Sequence, residues 1–504
     1  MSSARIALLV VMALLLPALL LGLGDRPVSK IQEVRIAETS REMLASGDWL
    51  VPHYNGELRL QKPPLPYWIT AASFRAFGID EFAVRLPAVL FGLGSVLLLF
   101  GWSRRVFSLQ AAASAALIFG TGYLGIRYCR SGEADAILLF FIVAACLLGY
   151  DMLMRGADTK RRLLFGLLIG LGFMAKGPAA LAIPLLTLLA TAWLEKRFTA
   201  LLSCFSLPAL ALMLGVAACW YAWLLWSLPD AAAQFVSRQL DETFISGNHV
   251  KPPWWYLAHF FEFFAPWGFL LVPAGWWTLR QKAQLPSPLR YAWVWLGVVF
   301  ALLTFTVNKQ MQYALLMAPP LAIILGYYLA QAEGGFARAN RILFWIFCLA
   351  AMVAGGYAIK RYHPQFSIAL IWLALPLAIK GILRSQDTPS TPLLIVAMLA
   401  SGGYLVGESL TDDSPKAVVG TLTAQVASDA PLYQSAPGDG AVSFYARRTV
   451  LPVKDEEIPA LLKKHGEIWM VAAKAPAIPL TEAAAMATAG ELALYRLCYS
   501  GRSE

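Results

Sequence analysis

The chain has 504 residues, of which 58% are hydrophobic and only 14% charged, with a formal net charge of +10. Soluble domains carry about 25% charged residues, and a wet surface cannot be built from so few, so most of the chain must lie in lipid. Disorder, a collagen-like repeat and a disulfide-rich secreted scaffold are excluded by the same numbers. The basic residues sit mostly in short loops between apolar runs, and no basic helix or aromatic platform points to nucleic acid. Six cysteines, at 129, 146, 204, 219, 348 and 498, form no CxxC pair and imply neither a disulfide framework nor a zinc cluster.

The first apolar stretch, Ile6 to Leu23, is 18 residues long with no Ala-x-Ala site after it, which predicts a retained helix rather than a signal peptide. Apolar runs then predict spans at roughly 5–24, 84–103, 108–125, 135–154, 162–175, 178–194, 200–226, 256–277, 290–307, 312–331, 341–359, 366–384 and 392–408, about thirteen in all. The fifth and sixth are short and separated by Lys176-Gly177-Pro178, so a re-entrant pair is the alternative. Arg104-Arg105, Arg155 with Lys160-Arg161-Arg162, Lys196-Arg197, Arg280 with Lys282, Arg338 with Arg341, and Lys380 with Arg384 occupy alternate loops. The positive-inside rule makes those loops cytoplasmic, which puts the N-terminus inside and the C-terminus outside.

Three outer segments are too long to be turns. In the first, Asp25 to Ala83, SKIQEVRIAETSREMLASG repeats apolar residues at helical spacing and ends at Ser46-Gly47. It reads as an amphipathic helix lying on the membrane face, and KPPLPYW leads into a second one. The segment at about 227–255 ends in HVKPPWWY, an interfacial aromatic girdle. The third, 409–504, turns soluble in composition. There PLYQSA, AVSFYARR, EIWMVAA and ELALYRLCYS read as strands, and DEEIPALLKKHG and TEAAAMATAG as helices. The expected architecture is therefore mainly α: a transmembrane helical bundle over 1–408, with amphipathic helices in 25–83, and a small periplasmic α/β domain over 409–504.

Ionisable residues at membrane depth or at the mouths of spans are costly unless used. The first helix offers Glu33, Arg35, Glu38, Arg41 and Glu42; His53, Arg59 and Lys62 follow. Arg127, Arg130, Glu133 and Asp135 precede the fourth span, and Lys176, Arg238, Asp241, Glu242, His249 and Lys309 complete the outer set. Mixed carboxylates and cations suit glycosyl transfer from a lipid phosphate: a carboxylate takes the acceptor's proton, and Arg or Lys stabilises the leaving phosphate. Plainer readings stand beside these. Glu38, Arg41 and Glu42, at i, i+3 and i+4, also fit a solvated face with a salt bridge. His53 and His249 fit structural roles, and Lys176 an interfacial anchor. Asp135, a carboxylate opening an apolar span, resists such a reading.

The stretch IQEVRIAETSREMLASGDWLVPHYNGELRLQKPPLPYW resembles the first outer loop of the bacterial 4-amino-4-deoxy-L-arabinose transferase family. That family stands with the dolichyl-phosphate-mannose protein mannosyltransferases in the GT-C superfamily. RSGEADAILLFF, MAKGPAALAIPLL, HVKPPWWY, NKQMQYALLMAPPLAI and SFYARR continue the resemblance in order along nearly the whole chain. It implies a GT-C fold and an inverting transferase in the bacterial inner membrane. The implied donor is a sugar linked to a polyprenyl phosphate, undecaprenyl phosphate, and the acceptor is lipid A, another glycan or a protein hydroxyl. On this reading Glu33 and Asp135 are catalytic, and Lys62, Arg127, Lys176 and Lys309 hold the donor phosphate. Gln32, Arg35, Glu38, Arg59, Gln61 and His249 line the acceptor pocket. The family's acids are replaced by Gln32 and Gln61, and its His by Leu240 beside Gln239. An amide is neither a base nor an anionic ligand, so metal ligation of the family's kind is weakened. Either Glu33 or Asp135 takes over as base, or the acceptor chemistry differs, or the chain binds a polyprenyl-phosphate sugar without turning it over.

Overall fold

The computed structural model describes residues 3–228, 230, 249–281, 285–340, 430–435, 440–473, 481–489 and 492–499, with isolated positions between 342 and 427. The elements begin with α1 (Ser3–Leu20), α2 (Ile31–Ser46), the strands β1 (His53–Tyr54) and β2 (Glu57–Leu58), α3 (Leu65–Phe77) and α4 (Glu81–Val106). Next come α5 (Leu109–Thr121), α6 (Tyr123–Cys129), α7 (Asp135–Arg155), α8 (Thr159–Lys176), α9 (Ala179–Leu194), α10 (Phe198–Ser203) and α11 (Leu207–Ser227). The chain forms two units that are each discontinuous in sequence. One holds Met1–Leu23, Gln61–Leu65 and Arg85–Leu410; the other holds Gly24–Leu60, Pro66–Val84 and Thr411–Glu504. Residues 24–60 and 66–84 thus group with the tail.

The first unit is helical. Among the described residues six helices are long and apolar enough to cross a membrane: α1, α4, α7, α11, Ser287–Phe305 and Met311–Gln331. The run expected as one span at 108–125 is broken: α5 and α6 meet at 65°, and the amide of Tyr123 donates to the carbonyl of Ala265. The 200–226 run divides at Cys204 into α10 and α11. The 256–277 run is no single helix either. It comprises the short turns Trp255–Ala258 and Phe260–Phe263, a 3-10 turn Trp267–Leu270 and the helix Leu271–Arg280. Pro266, which has no amide hydrogen to donate, lies at the break. The span expected at 366–384, nearly all of 341–359 and about half of 392–408 lie outside the described residues, as do Arg238, Leu240, Asp241 and Glu242.

Small residues let these helices approach closely. A Cβ on Gly166 of α8 would meet the Ala209 carbonyl oxygen of α11 at 2.4 Å. Two buried arginines fasten the end of α1: Arg130 donates to the carbonyls of Ala18 and Leu21, and Arg85 to that of Leu23. Their donors meet helix-end carbonyls that have no partner within the helix.

In the second unit α2 ends as expected, with Gly47 at φ 74° donating its amide to the Met43 carbonyl. It does not lie amphipathically on a surface, because Glu33, Glu38, Arg41 and Glu42 are buried along with Val34 and Ala37. β1 and β2 pair antiparallel across Asn55 and Gly56, both at positive φ, as a tight two-residue hairpin requires. The tail forms a five-stranded sheet of order β4-β3-β5-β7-β6, made of β3 (Leu432–Ser435), β4 (Leu451–Val453), β5 (Glu467–Ala472), β6 (Thr481–Ala489) and β7 (Leu492–Tyr499). β3 runs parallel to β4 and β5, whereas β7 runs antiparallel to β5 and β6.

Two tail segments differ from expectation. AVSFYARR forms the helix Gly440–Ala446, and TEAAAMATAG forms strand β6. The helix buries Ala441 and Phe444 against Val34 and Ala37 of α2 and Phe74 of α3. The hydroxyl of its neighbour-facing Tyr445 accepts from the Val28 amide and donates to Glu81.

Candidate functional site

In the first unit the cations and carboxylates collect where α6 meets α7 and where α8 ends. Asp135 is the first residue of α7, so its carboxylate sits at the positive end of the helix dipole. Lys176 is the last residue of α8, and the chain turns away through Gly177 at φ 89°. The Lys176 ammonium donates to Asp135 Oδ1 at 2.6 Å, with both side chains nearly buried. It also lies 5.5 Å from the Tyr313 ring centroid. Ser131, just before α7, donates to Glu133 at 2.9 Å.

Arg127 lies on α6, past the break. It donates to the Tyr123 hydroxyl at 2.6 Å, and its guanidinium carbon is 5.7 Å from the Tyr123 ring and 5.8 Å from the Tyr128 ring. Its buried Nε has no hydrogen-bond partner. Tyr404 meets the Tyr123 ring edge-on at 6.2 Å. Rings hold a cation in place without neutralising it, so donors stay available to an anion.

Lys309 is placed otherwise. Its ammonium donates to the carbonyls of Leu303, Thr304 and Thr306, which uses all three of its hydrogens to close the helix Ser287–Phe305. Burial holds it below the usual lysine range. The expected phosphate contact thus gives way to a helix cap, because unsatisfied carbonyls at a helix end attract a nearby cation. His249 is exposed, and its carbonyl accepts from the Lys309 amide, beside a Val250–Asn308 bridge. Lys62 is half-buried, and Gln61 beside it has a buried Oε1 with no partner.

The remaining expected residues belong to the second unit. Glu33 and Glu38 are fully buried on α2, with Gln32 and Arg35 half-buried. Arg41 grips Glu38 through two bonds of 2.8 and 2.7 Å. Glu42 accepts from the Gly56 amide and the Thr449 hydroxyl. One cation thus faces two buried carboxylates, and burial pushes Glu38 up to about 8, with Arg41 opposing the rise. His53 is half-buried and lies within 3.0 Å of the Val51 carbonyl, so it serves the loop. Arg59 is buried over the Tyr54 ring.

Sequence reasoning overlooked Tyr123, Tyr128 and Tyr313. The i, i+4 spacing of Tyr123 and Arg127 was the available signal for the first. Among the described residues no three His, Cys, Asp or Glu side chains converge on a point, and Gln61 offers a neutral oxygen.

Cations framed by aromatic rings at helix ends thus stand in a fold that has, among the described residues, six helices long and apolar enough to cross a membrane. The family model for dolichyl-phosphate-mannose-protein mannosyltransferase matches residues 61–226. An undecaprenyl phosphate-alpha-4-amino-4-deoxy-L-arabinose arabinosyl transferase from Edwardsiella ictaluri is 33% identical over 62% of this chain, which spans 57% of that relative's length. The Aeromonas salmonicida transferase of the same name is 31% identical over 73% of this chain and 70% of its own. The crystal structure of ArnT from Cupriavidus metallidurans bound to undecaprenyl phosphate superposes with a TM-score of 0.83 at 18% identity, covering 97% of both chains. The chain belongs to the undecaprenyl phosphate-aminoarabinose arabinosyl transferase family, and it has that fold.

Proposed function

We propose that the protein is an inner-membrane glycosyltransferase that moves a sugar from undecaprenyl phosphate to lipid A or a related acceptor on the periplasmic side. The reading places the N-terminus in the cytoplasm and the tail in the periplasm, with about thirteen spans. The observation that carries it is the buried Lys176–Asp135 pair, 2.6 Å long, under the Tyr313 ring. An acceptor oxygen attacks the anomeric carbon, and the bond to the donor phosphate oxygen breaks with its electron pair. The phosphate gains charge on leaving, and Lys176, Arg127 and Lys62 stabilise it.

Asp135 is then a positioning residue. Its carboxylate accepts from the Lys176 ammonium and holds it aimed at the leaving phosphate. Where the acceptor is a hydroxyl its proton needs a base, the role the resemblance gives to Glu33. The relatives' names make an aminopentose the first donor to try.

Purified protein should convert undecaprenyl-phosphate aminoarabinose and lipid A into sugar-modified lipid A, read by mass spectrometry. Donor binding with no product from any acceptor class would instead support the second reading, a non-catalytic binding or transport protein. That reading draws on Gln32 and Gln61 standing where the family has acids.

A further inference from the structure

Arg59 stands apart from the other buried cations. Arg41 is neutralised by Glu38, and Arg85 and Arg130 donate to helix-end carbonyls. Arg59 is only 7% exposed, yet its buried Nε has no hydrogen-bond partner, and no carboxylate among the described residues pairs with it. Its one side-chain contact of note is the Tyr54 ring, 5.4 Å from the guanidinium carbon. A buried, unneutralised charge is costly, and ring stacking recovers only part of that cost.

The surroundings are built to keep it there. Arg59 follows directly on β2, and its amide donates to the Pro52 carbonyl across the hairpin. The Tyr54 hydroxyl beneath it accepts from the Gly440 amide at 3.1 Å. Asn55, at the turn, accepts from the Ser443 hydroxyl at 2.8 Å. Gly440 makes room for this close approach, since a Cβ there would meet the Tyr54 hydroxyl oxygen at 2.4 Å. The platform is therefore rigid before any ligand arrives, and the fork of the guanidinium suits a two-oxygen anion.

We propose that Arg59 is an oxyanion-binding residue that takes a phosphate or carboxylate of the acceptor, stacked on Tyr54 and held by the helix Gly440–Ala446. This deepens the transferase reading and rests on it for the source of the anion. The chemistry shared by a lipid A phosphate and the donor phosphate is the same, so the test separates them.

The experiment measures binding of bisphosphorylated lipid A and of undecaprenyl phosphate, each in detergent micelles, to the full chain and to Arg59→Gln and Arg59→Lys. Thermal midpoints and sugar transfer are followed alongside. The expected result is a tenfold to hundredfold loss of lipid A affinity, roughly what one charge-assisted hydrogen bond supplies, in Arg59→Gln. Undecaprenyl phosphate affinity stays within twofold, Arg59→Lys recovers part of the loss, and the thermal midpoint of Arg59→Gln holds or rises because an unpaired charge has gone. Unchanged lipid A affinity in Arg59→Gln overturns the proposal. So does a loss confined to undecaprenyl phosphate, or a fall in midpoint that carries both affinities down with it. Absence of sugar transfer by the unaltered chain would count against the transferase reading alone, since the binding comparison still decides the role of Arg59.

Discussion

Helix α2 and the helix ends around Arg127 and Lys176 treat buried charge in opposite ways. On α2, Glu38, Arg41 and Glu42 satisfy one another and the neighbouring Gly56 amide and Thr449 hydroxyl. In the helical unit, Arg127 is framed by Tyr123 and Tyr128, and Lys176 has one carboxylate oxygen as its hydrogen-bond acceptor among the described residues. A charge whose bonds are all made is holding structure together. A cation framed by rings and only partly bonded is ready for a ligand. Lys309 shows that the distinction cuts within the helical unit too, since its three hydrogens all serve carbonyls.

The comparison breaks most visibly at the Lys176–Asp135 pair. Lys176→Met should lower sugar transfer by a hundredfold or more, the scale for losing one preorganised group that meets developing charge. Asp135→Asn should fall nearly as far, and the double variant little further, because the two act as one unit. Lys309→Met should cost about 1–2 kcal/mol of stability through the lost cap while leaving undecaprenyl phosphate binding within a fewfold. A large binding loss there would return Lys309 to the phosphate site.

On α2 the expected effects are on folding. Arg41→Ala leaves two buried carboxylates without their cation and should cost about 3–5 kcal/mol in thermal or denaturant unfolding. Glu38→Gln should cost much less at neutral pH. Its carboxyl is raised from 4.5 to about 8, so the folded state binds the proton more tightly than the unfolded chain does. Stability from this group is fully present below about pH 4.5 and is lost as pH rises towards 8. Glu38→Gln should flatten that part of the pH profile. At the small end, Arg496→Ala breaks an exposed pair with Glu467 and a contact over the Trp469 ring, and should barely move the thermal midpoint.

Much of this arrangement was legible in the sequence, and what was not has physical causes. The limits of α2 follow from its apolar spacing and from Gly47, and α7 from an apolar run opened by Asp135. The burial of α2 could not be read, because its covering residues, Ala441, Phe444 and Thr449, lie some four hundred positions on. AVSFYARR has strand-like residues, but it gains its helix by packing Phe444 against Phe74 at 6.2 Å. TEAAAMATAG has helical propensity, and pairing with β7 outweighs it. Lys309 looked like a ligand because sequence shows a charge near a span but not the carbonyls it closes. Asp135 and Lys176 were both singled out, and it took the fold to show that they are one device.

The central claim, that in the helical unit ring-framed and partly bonded cations hold the donor phosphate while fully bonded ones do not, comes down to one titration. Undecaprenyl phosphate is titrated into the full chain and into the Lys176→Met and Lys309→Met variants under identical micelle conditions. The account predicts at least a tenfold loss of affinity for Lys176→Met and a change within a fewfold for Lys309→Met. Equal affinities for the full chain and Lys176→Met, or the larger loss in Lys309→Met, would contradict it.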